Sequence, residues 1–580
     1  MDCYDACKIV VKDGAFPHIS GDVEHPAGNG ALCTLLNKSI HDASRIENAR
    51  IDGKAVSLDE AMEAVYDAFK KESSLLWRGS GNMGVMQEVT NLFMEKIEGT
   101  LTKGSLCDGA GDAGIIEGRG VNKGLPLEQI KKADTVVIWG RNVTVTNAHI
   151  MPFLEGKKIV VIDPVKTAIA KKADHHLQLQ PCTDHDVANL LARFIAMEKR
   201  KEIGSLDGLP VEEGFYDFVR EHRLEPVLEY CGTDMVEMGR VLHTLLHKKV
   251  VFLVGTGVQK YASGAAVLHA IDSLAATLGL FGNEGCGVHY LSHSKLGFVN
   301  PFDVQCKRVS KVVTHFSQFD TVLVQGGNPA ESMPDSRRVC EALEKVENLI
   351  YFGLYENETS KRAKIVIPAK TFFEKEDVRL SYGHQYVEHM NKVMDSDIGI
   401  SEYDFTKRLF EAFGFTGLKS ETDYIDAWLT QCHKQEGRYI SPAYEPLPYK
   451  EGFGASGDEA FKFDQAVEDD LRGSKRFPKV EVGRFWLLST KANKALNTQF
   501  KRNHTVQIHP GSGYLEGEKV LLRSEFGALE LEVILNEDLL VDCVVVTNNT
   551  LGLNILTPSI ISEKGENACY QEVKITIEKV

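Results

Sequence analysis

The sequence lacks the features that would place it in a membrane, on nucleic acid or outside the cell. It contains no run of about eighteen apolar residues, and its first residues show no basic segment followed by an apolar one. Its 66 Lys and Arg residues are outnumbered by 82 Asp and Glu, and the net charge of -16 opposes binding to nucleic acid or to an acidic membrane surface. We therefore predict a cytoplasmic protein with no membrane span; an export signal upstream of Met1 stays open.

Cysteine is also scarce, with 12 residues in a chain of 580, which excludes a secreted disulfide scaffold. Only Cys3, Cys7 and Cys33 form a group near one another in the sequence. Thiolates at short spacing, closed by a distant one, suit an iron–sulfur cluster or a structural zinc ion. A zinc site would take its fourth ligand from the nearby histidines His18, His25 and His41. Three unrelated buried thiols are the alternative interpretation.

The sequence has neither a complete Gly-x-Gly-x-x-Gly fingerprint nor a phosphate loop with its Lys-Ser/Thr. It has instead a repeated pattern of a short β-branched run, a turn rich in Gly, Asn or Asp, and a helical pattern. Such runs indicate a parallel sheet covered on both faces, so we predict an α/β fold that is doubly wound more than once. The six clearest runs lie at 73–84, 134–144, 157–167, 249–259, 320–332 and 348–359.

The turns after these strands are candidates for ligand binding, because ligands of such sheets bind at the carboxyl ends of the strands. Two examples are Gly255-Thr256-Gly257 and Gly326-Gly327-Asn328-Pro329. Glycine lets backbone amides approach a pyrophosphate, and the N-termini of helices favour its negative charge. Taken together the turns suggest a long, phosphate-bearing ligand, although each alone is also typical of an ordinary α/β loop.

After about residue 480 the pattern changes to alternating apolar and polar residues separated by turns, which predicts an all-β module, most simply a barrel. The segment 447–483 is polar, rich in glycine and weakly periodic, and we interpret it as a linker or an irregular crossing. The predicted strands lie within 483–490, 504–510, 518–524, 528–535, 542–549 and 571–580.

Taken in order, these motifs resemble the molybdopterin oxidoreductases of the dimethyl-sulfoxide-reductase type, a group that includes formate dehydrogenases and nitrate reductases. The resemblance runs through the whole chain. It rests on the Cys-x3-Cys pair and on GDVEHPAGNGALC (21–33), VVIWGRN (136–142), VVIDPVKTAIAKKADHHLQLQPCTD (160–184), LFGNEGCG (280–287), VQGGNPAESMPD (324–335), ETSKRAKIVIPAKTFFEKEDV (358–378) and NTLGLNILTP (549–558).

The resemblance implies two doubly wound nucleotide-binding domains, an N-terminal cysteine-bearing cap and a C-terminal β barrel. We expect the iron–sulfur cap at 1–50, with parts of about 380–470. One α/β domain, carrying the metal-ligand loop, is expected at 51–130 plus about 305–400. The other, a dinucleotide-binding domain, is expected at 131–304. The barrel, expected at 480–580, would close over both dinucleotides.

The resemblance also implies the cofactors: two molybdopterin guanine dinucleotides that hold one molybdenum or tungsten, and a [4Fe-4S] cluster bound by Cys3, Cys7 and Cys33. Carboxylates at strand ends, such as Asp163 and Asp184, can accept hydrogen bonds from guanine or ribose. The residues that match the family's cofactor-binding motifs are Trp139, Gly140, Arg141, Asn142, Asp163, Pro164, Thr167, Pro181, Thr183, Asp184, Gly255, Gly257, Gln259, Gly327, Asn328 and Pro329, with Thr490 and Asn554 from the barrel.

The family's metal ligand falls in the glycine-rich stretch 103–114, where Cys107 is our prediction. A soft thiolate suits molybdenum or tungsten and is deprotonated on binding. Ser105 and Asp108 are the alternative ligands. Asp108 is also predicted to be catalytic, because formate dehydrogenases place a proton-accepting His at the position after the ligand and a carboxylate can take a proton too.

Three positions depart from the family pattern. The Cys-Pro pair that precedes the cluster motif would fall upstream of Met1, so the fourth cluster ligand is unassigned. Leu35 stands where many members carry a Lys between cluster and pterin, and Asp108 stands where formate dehydrogenases carry His. Nearby histidines that can assist the chemistry are His149, His175, His176, His289 and His293.

We therefore predict a molybdenum- or tungsten-dependent oxidoreductase that acts on formate or a small oxo or sulfur compound. Its electrons would pass through the cluster to an electron-transfer protein or subunit. Two alternatives stay open from the sequence. One is a non-catalytic electron-transfer subunit with the same fold, like the large subunit of respiratory complex I. The other is an α/β enzyme with an ordinary dinucleotide, which the missing fingerprint disfavours.

Overall fold

The computed structural model describes residues 3, 5–12, 19–40, 44–81, 83–197, 214, 225–246, 248–291, 294–462 and 483–580. Two parallel sheets, one antiparallel sheet and one barrel dominate these residues. Within the described part of the chain, no helix is both long enough and apolar enough to cross a membrane.

The first parallel sheet is continuous in sequence. Its five strands are, in spatial order, Gly287–Tyr290, Val250–Val254, Thr135–Trp139, Lys158–Ile162 and His175–Leu177, and every neighbouring pair is parallel. Their side chains alternate between two cores, one on each face. Both faces are covered, as the continuous apolar runs predict. The helices of this region are Leu127–Lys132, Val143–Thr146, Asp184–Met197, Glu225–Cys231, Met235–Leu245 and Gly264–Thr277, with 3₁₀ turns at Ala148–Leu154, Ala170–Lys172 and Thr256–Gln259.

The second parallel sheet is assembled from two distant stretches of chain. Its strands are, in spatial order, Lys307–Ser310, Thr100–Lys103, Ser74–Arg78, Thr321–Gln325, Asn348–Gly353, Ile365–Pro368, Ala49–Ile51 and Lys54–Val56. The first six are parallel, and the last two form an antiparallel hairpin at the edge. The surrounding helices are Leu58–Phe69, Thr90–Lys96, Gly109–Arg119, Pro329–Ser332, Ser336–Leu343 and Glu402–Ala412, with 3₁₀ turns at Val85–Glu88, Phe316–Gln318 and Ser360–Arg362.

In both sheets the strand order reverses beside the first strand of the domain, which creates a crevice at the carboxyl edge. In the first sheet the crevice opens between Thr135–Trp139 and Val250–Val254, and in the second between Ser74–Arg78 and Thr321–Gln325. The predicted doubly wound architecture is therefore confirmed, twice over. One detail differs from the prediction. The turns after Lys158–Ile162 and Asn348–Gly353 lead only to 3₁₀ turns, because the next parallel strand follows within about a dozen residues.

The C-terminal region forms the predicted barrel. Six strands close in the order Phe485–Thr490, Cys543–Thr547, Thr505–Ile508, Ala528–Leu535, Lys519–Arg523 and Lys574–Lys579 around an apolar interior. A small hairpin, Ala495–Leu496 with Gln499–Phe500, and the 3₁₀ turns Pro510–Ser512 and Leu553–Ile555 complete it. Successive side chains of a strand point to opposite faces, so the apolar residues of each alternating run face the barrel core. This is why the alternation in the sequence predicts these strands.

The N-terminal segment packs near the antiparallel sheet, outside the two parallel sheets and the barrel. Its hairpin, Ile9–Val11 with Ile19–Gly21, and the helix Thr34–Ile40 share an apolar cluster with Phe372 and Phe373. The antiparallel sheet beside it contains Asp377–Arg379, Tyr386–Met390, Arg438–Ile440 and His433–Gln435, and the helix Glu421–Leu429 packs near it. The residue boundaries predicted for the four domains stay a prediction.

Candidate functional site

One cavity of about 1060 Å³ lies where the two crevices, the barrel and the N-terminal segment meet. Its walls include the turns Gly79–Gly81 and Gly326–Asn328 of one sheet and Gly140–Asn142 and Gly255–Gly257 of the other. A cavity of this size is at the upper end of the range for small-molecule sites, which suits a large cofactor.

Glycine is required at these turns because the two loops of each crevice nearly touch. A Cβ on Gly79 would lie 2.4 Å from the carbonyl oxygen of Gly326, and one on Gly255 would lie 2.1 Å from that of Gly140. Both obstacles are backbone atoms, which cannot rotate away. At these glycines the loops therefore present bare backbone, the surface on which a phosphate is cradled.

The structure brings most of the predicted site residues to this cavity. They come from the N-terminal segment, both sheets and the barrel: Cys3, Cys7, Cys33, Cys107, Gly140, Arg141, Asn142, Asp163, Pro164, Thr167, Asp184, Gly255, Gly257, Gly327, Asn328, Thr490 and Asn554. Their individual roles stay predictions. The lining does not include Asp108, Trp139, Pro181, Thr183, Gln259 or Pro329.

Trp139 does not line the cavity, but it holds Asp184, which does. Its indole nitrogen donates a hydrogen bond to Oδ1 of Asp184, at 2.7 Å. Trp139 is fully buried in the core of the first sheet and therefore fixes the carboxylate from behind. Thr183 forms the preceding turn, where its hydroxyl donates to the carbonyl oxygen of Gln180 at 2.7 Å. Trp139 and Thr183 therefore support the cavity wall without lining it.

Asp163 and Asp184 are two carboxylates at the same end of the cavity. Burial and the nearby Asp184 raise the pKa of Asp163, the amide of Val165 opposes the shift, and the resulting pKa is about 7. Burial likewise raises the pKa of Asp184 to about 6, against the hydrogen bond from Trp139. The interior of a protein has a lower dielectric constant than water. A hydrogen bond from the amino or ring N–H group of a purine to one of these buried oxygens is therefore stronger than the same bond in water.

Cys107 lies in the loop between the strand Thr100–Lys103 and the helix Gly109–Arg119. Ser105 organises this loop, because its hydroxyl accepts hydrogen bonds from the amides of Cys107 (2.9 Å) and Asp108 (3.1 Å). The same hydroxyl donates to Oδ1 of Asp108 at 2.6 Å. The Asp108 side chain is therefore turned toward its own loop, while Cys107 is exposed to the cavity.

Gln259 fixes this loop from the other sheet. Its side-chain oxygen accepts from the amide of Gly111 at 2.6 Å, and its side-chain nitrogen donates to the carbonyl oxygen of Cys107. The Gln259 side chain is completely buried. The structure thus gives this residue a contact with the Cys107 loop that its place in a cofactor-binding motif did not suggest.

The helix that follows Cys107 is anchored at its far end. The Arg119 guanidinium donates from Nε to Oδ2 of Asp272 at 2.6 Å, and both residues are buried. Phe281 lies 4.8 Å from that guanidinium. Close packing reinforces the contact, since a Cβ on Gly114 would lie 2.1 Å from the carbonyl oxygen of Ala265. Fixing the helix in this way fixes the loop at its start.

The three N-terminal cysteines all line one part of the cavity wall. Burial, together with Asp5 and Cys33, raises the pKa of Cys7 to about 12. Within the described ranges, no group of three or more metal-binding side chains is arranged to hold a metal ion. Of the histidines considered for a zinc site, His18 and His41 lie outside the described residues. His25 instead pairs with Glu388 at 3.4 Å.

Histidines beside the cavity have individual partners. Nε2 of His149 lies 3.1 Å from Sγ of Cys7, and Nδ1 of His289 lies 3.0 Å from the guanidinium of Arg141. Burial and the nearby Arg141 together lower the pKa of His289 to about 3, so this histidine is neutral at pH 7. His176 contacts the backbone oxygen of Asp163 at 3.0 Å. His293 lies outside the described residues, and His175 is on the edge strand.

Two residues that line the cavity were not predicted from the sequence. Lys260, the residue after Gln259, lines the cavity, and its ammonium lies 5.0 Å from the ring of Tyr570. Burial lowers the pKa of Lys260, whereas Cys107 raises it. The indole nitrogen of Trp77 is buried at the cavity without a hydrogen-bond partner among the described residues. A lone Trp inside a strand and a lone Lys after a 3₁₀ turn belong to no pattern by which sequence reasoning can select them.

Together these features fit a large cofactor with phosphate, purine and sulfur groups. Bare glycine backbone faces the cavity, Asp163 and Asp184 offer acceptors, and Cys107 offers a thiol. The buried donor of Trp77 lacks a partner that a cofactor can supply. Two doubly wound sheets and a barrel around such a cavity define an α/β cofactor enzyme.

Comparison with known proteins identifies the family of this cofactor enzyme. The chain is 27% identical over 512 residues to "Probable oxidoreductase YyaE" of Bacillus subtilis, covering 78% of this chain and 74% of that protein. It is 23% identical over 509 residues to "F420-dependent formate dehydrogenase subunit alpha" of Methanocaldococcus jannaschii, covering 76% and 72%. The solved structure "Acetylene Hydratase from Pelobacter acetylenicus" matches with a TM-score of 0.78 at 14% identity, covering 100% of this chain and 99% of that one.

The family model described as "Molybdopterin oxidoreductase" matches residues 50–401, more than half of the chain, so the protein belongs to the molybdopterin oxidoreductase family. The predicted resemblance is confirmed. The chain is a molybdopterin-dependent oxidoreductase, and its cofactor carries molybdenum or tungsten.

Proposed function

We propose that this oxidoreductase carries out two-electron redox chemistry at a bis-molybdopterin guanine dinucleotide centre and exchanges the electrons with a partner through a [4Fe-4S] cluster. The observation that carries the proposal is the single cavity, to which residues from the two sheets, the barrel and the N-terminal segment all contribute. Two crevices of the same kind, one in each sheet, match a cofactor with two similar halves.

One dinucleotide would lie across the crevice of the first sheet. Asp163 and Asp184 would accept from its guanine or ribose, and the turns at Gly140 and Gly255 would bring backbone to its pyrophosphate. The other would lie across the crevice at Gly327 and Asn328. Thr490 and Asn554 line the cavity from the barrel side and would close over both.

Cys107 would be the protein ligand of the metal. When bound, the metal–pterin centre supplies the two-electron chemistry and an open position for substrate. Gln259 holds the carbonyl of Cys107 and would thereby fix the position of its thiol. Asp108, hydrogen-bonded to Ser105, is the proposed proton acceptor beside it.

Cys3, Cys7 and Cys33, which also line the cavity, would bind the cluster. Their fourth ligand is unassigned. A relative whose name includes "subunit alpha" supports a partner subunit, to which a cluster near the N-terminal segment would pass electrons. The substrate would be formate or a small oxo or sulfur compound.

Metal analysis tests the proposal directly. Protein purified without oxygen should contain molybdenum or tungsten, pterin released on denaturation in a ratio of two per metal, and the visible absorbance of an iron–sulfur cluster. Protein that is folded but free of metal and pterin would contradict the proposal and favour a non-catalytic electron-transfer subunit.

A further inference from the structure

A segment of the barrel region, residues 562–571, lies on the loop that carries Cys107, and we call it the clamp. The amide of Ser105 donates a hydrogen bond to the carbonyl oxygen of Glu566 at 3.1 Å. The amide of Ala568 donates to the carbonyl oxygen of Ser105 at 3.0 Å, which completes a parallel bridge between the two segments. Because both bonds join backbone atoms, no sequence motif announces them.

The clamp and the Cys107 loop are also in direct backbone contact. A Cβ on Gly565 would lie 2.0 Å from the carbonyl oxygen of Gly109, the residue that begins the helix after Cys107. Conversely, a Cβ on Gly109 would lie 2.3 Å from the carbonyl oxygen of Gly565. Since backbone atoms cannot rotate away, an added side chain here must displace one segment from the other.

The clamp supports the Cys107 loop by a second route as well. The amide of Gln571 donates to the carbonyl oxygen of Lys260 at 3.1 Å. Lys260 follows Gln259, whose side chain donates to the carbonyl oxygen of Cys107. The clamp therefore holds both the Cys107 loop and the loop of the first sheet that grips it from the other side.

The clamp is itself held firmly to the barrel. The Ser562 hydroxyl accepts from the amide of Asn567 at 2.9 Å and donates to the carbonyl oxygen of Lys564 at 2.7 Å, which fixes the turn at its start. The side chain of Gln571 makes two hydrogen bonds to the backbone of Ser489 in a barrel strand, at 2.7 and 3.2 Å. The position of the barrel is thereby transmitted to the loop at Cys107.

We propose that the clamp sets the position of the Cys107 thiol at the metal, so that Cys107 takes its working geometry only when the barrel is docked on both sheets. The clamp residues are positioning residues, and none of them needs to touch the metal. The inference rests on the proposed function, in which Cys107 is the metal ligand. Groups that orient a ligand tune the metal that it binds, and small displacements suffice.

The test compares Gly565→Ala with Gly513→Ala in holoenzyme purified without oxygen. Both glycines lie in the barrel region with a φ of +81°, so a Cβ strains the two backbones alike. Nothing lies within 4 Å of a Cβ on Gly513, whereas a Cβ on Gly565 meets Gly109. A difference between the two variants therefore reports the contact with the helix after Cys107.

Two measurements follow the effect. In hydrogen exchange read by mass spectrometry, a peptide that contains Ser105 should exchange about fivefold faster in Gly565→Ala, the effect of losing one backbone hydrogen bond. The electron paramagnetic resonance g values of the half-reduced metal should shift in the same variant, because the Cys107 thiolate moves relative to the metal. Gly513→Ala should match the wild type in both measurements.

Ser562→Ala is a milder variant, because it removes a hydroxyl and adds no atom. Its control is Ser524→Ala, which removes a hydroxyl that accepts from the amides of Phe526 (3.1 Å) and Gly527 (3.4 Å) in another turn of the barrel. Ser562→Ala should shift the g values less than Gly565→Ala does, and Ser524→Ala should leave them unchanged. If Gly565→Ala fails to retain its cofactor, this pair decides the test.

Three outcomes would overturn the inference alone, when the protein carries metal and pterin and Cys107→Ala alters the resonance signal. These are unchanged g values in both clamp variants, no faster exchange at Ser105 in either, or equal changes in the two controls. Loss of metal and pterin from Ser562→Ala would also overturn it, since the clamp would then serve loading and not geometry. A signal unchanged in Cys107→Ala would instead overturn the proposed metal ligand, and wild-type protein without metal and pterin the whole proposed function.

Discussion

The clearest thermodynamic prediction concerns Asp184, whose carboxylate is buried in the wall of the cofactor cavity. Its pKa of about 6 in the folded protein lies above the ordinary value of 3.8. From about pH 4 to about pH 6 the folded protein therefore keeps a proton that the unfolded chain loses. The free energy of unfolding must fall as the pH rises through that window, and it stays lower above it.

The size of the effect follows from the shift. At about 1.4 kcal/mol for each pKa unit, a rise from 3.8 to about 6 corresponds to about 3 kcal/mol. Asp184→Asn retains an oxygen that accepts from Trp139 but carries no charge. In cofactor-free protein at pH 8 it should raise the free energy of unfolding of the region by up to about 3 kcal/mol, while it weakens binding of a guanine-containing cofactor.

Denaturant titrations between pH 4 and pH 8 test this, with tryptophan fluorescence as the signal because Trp139 contacts the carboxylate directly. The variant should show a shallower decline in stability with pH than the wild type. Asp234→Asn, a change at an exposed helix N-cap, is a control that should leave the slope unaltered. Equal slopes in Asp184→Asn and the wild type would refute the assignment of this buried charge.

Three further changes test other parts of the site. Cys107→Ala should abolish turnover while pterin, measured by fluorescence after release, stays bound; normal activity would exclude the thiol as metal ligand. Asp272→Ala leaves the Arg119 charge buried and unpaired, and should cost about 3–5 kcal/mol in a denaturant titration; a loss below 1 kcal/mol would argue against a buried pair. Gly255→Ala should prevent cofactor loading by metal analysis, whereas Gly239→Ala, with open space around its Cβ, should not.

The sequence predicted the fold well because its signals are local. Alternating residues placed all six barrel strands, and continuous apolar runs placed the central strands of both sheets. The strand order, and hence the position of the two crevices, was not predicted. Local patterns do not encode which strands lie side by side, and Thr321–Gln325 pairs with a strand far earlier in the chain.

Only part of the site was predicted, because sequence patterns are local and do not reveal contacts between distant parts of the chain. Strand-end turns such as Gly140–Asn142 are recognisable motifs, and they do line the cavity. The contacts that hold Gln259 in place come from residues distant in sequence, Gly111 and Cys107. Nothing near Gln259 in the chain signals that its side chain reaches the loop at Cys107, because that contact depends on how two sheets are packed together.

The division of the second sheet between two stretches of chain has a consequence for how the protein is made. Thr321–Gln325 pairs with Ser74–Arg78 on one side and with Asn348–Gly353 on the other. Until that central strand emerges from the ribosome, the edge of Ser74–Arg78 has no partner there, while the five-stranded sheet between the two stretches is already complete. The crevice in the second sheet therefore forms late, and a cofactor that needs both crevices must wait for it.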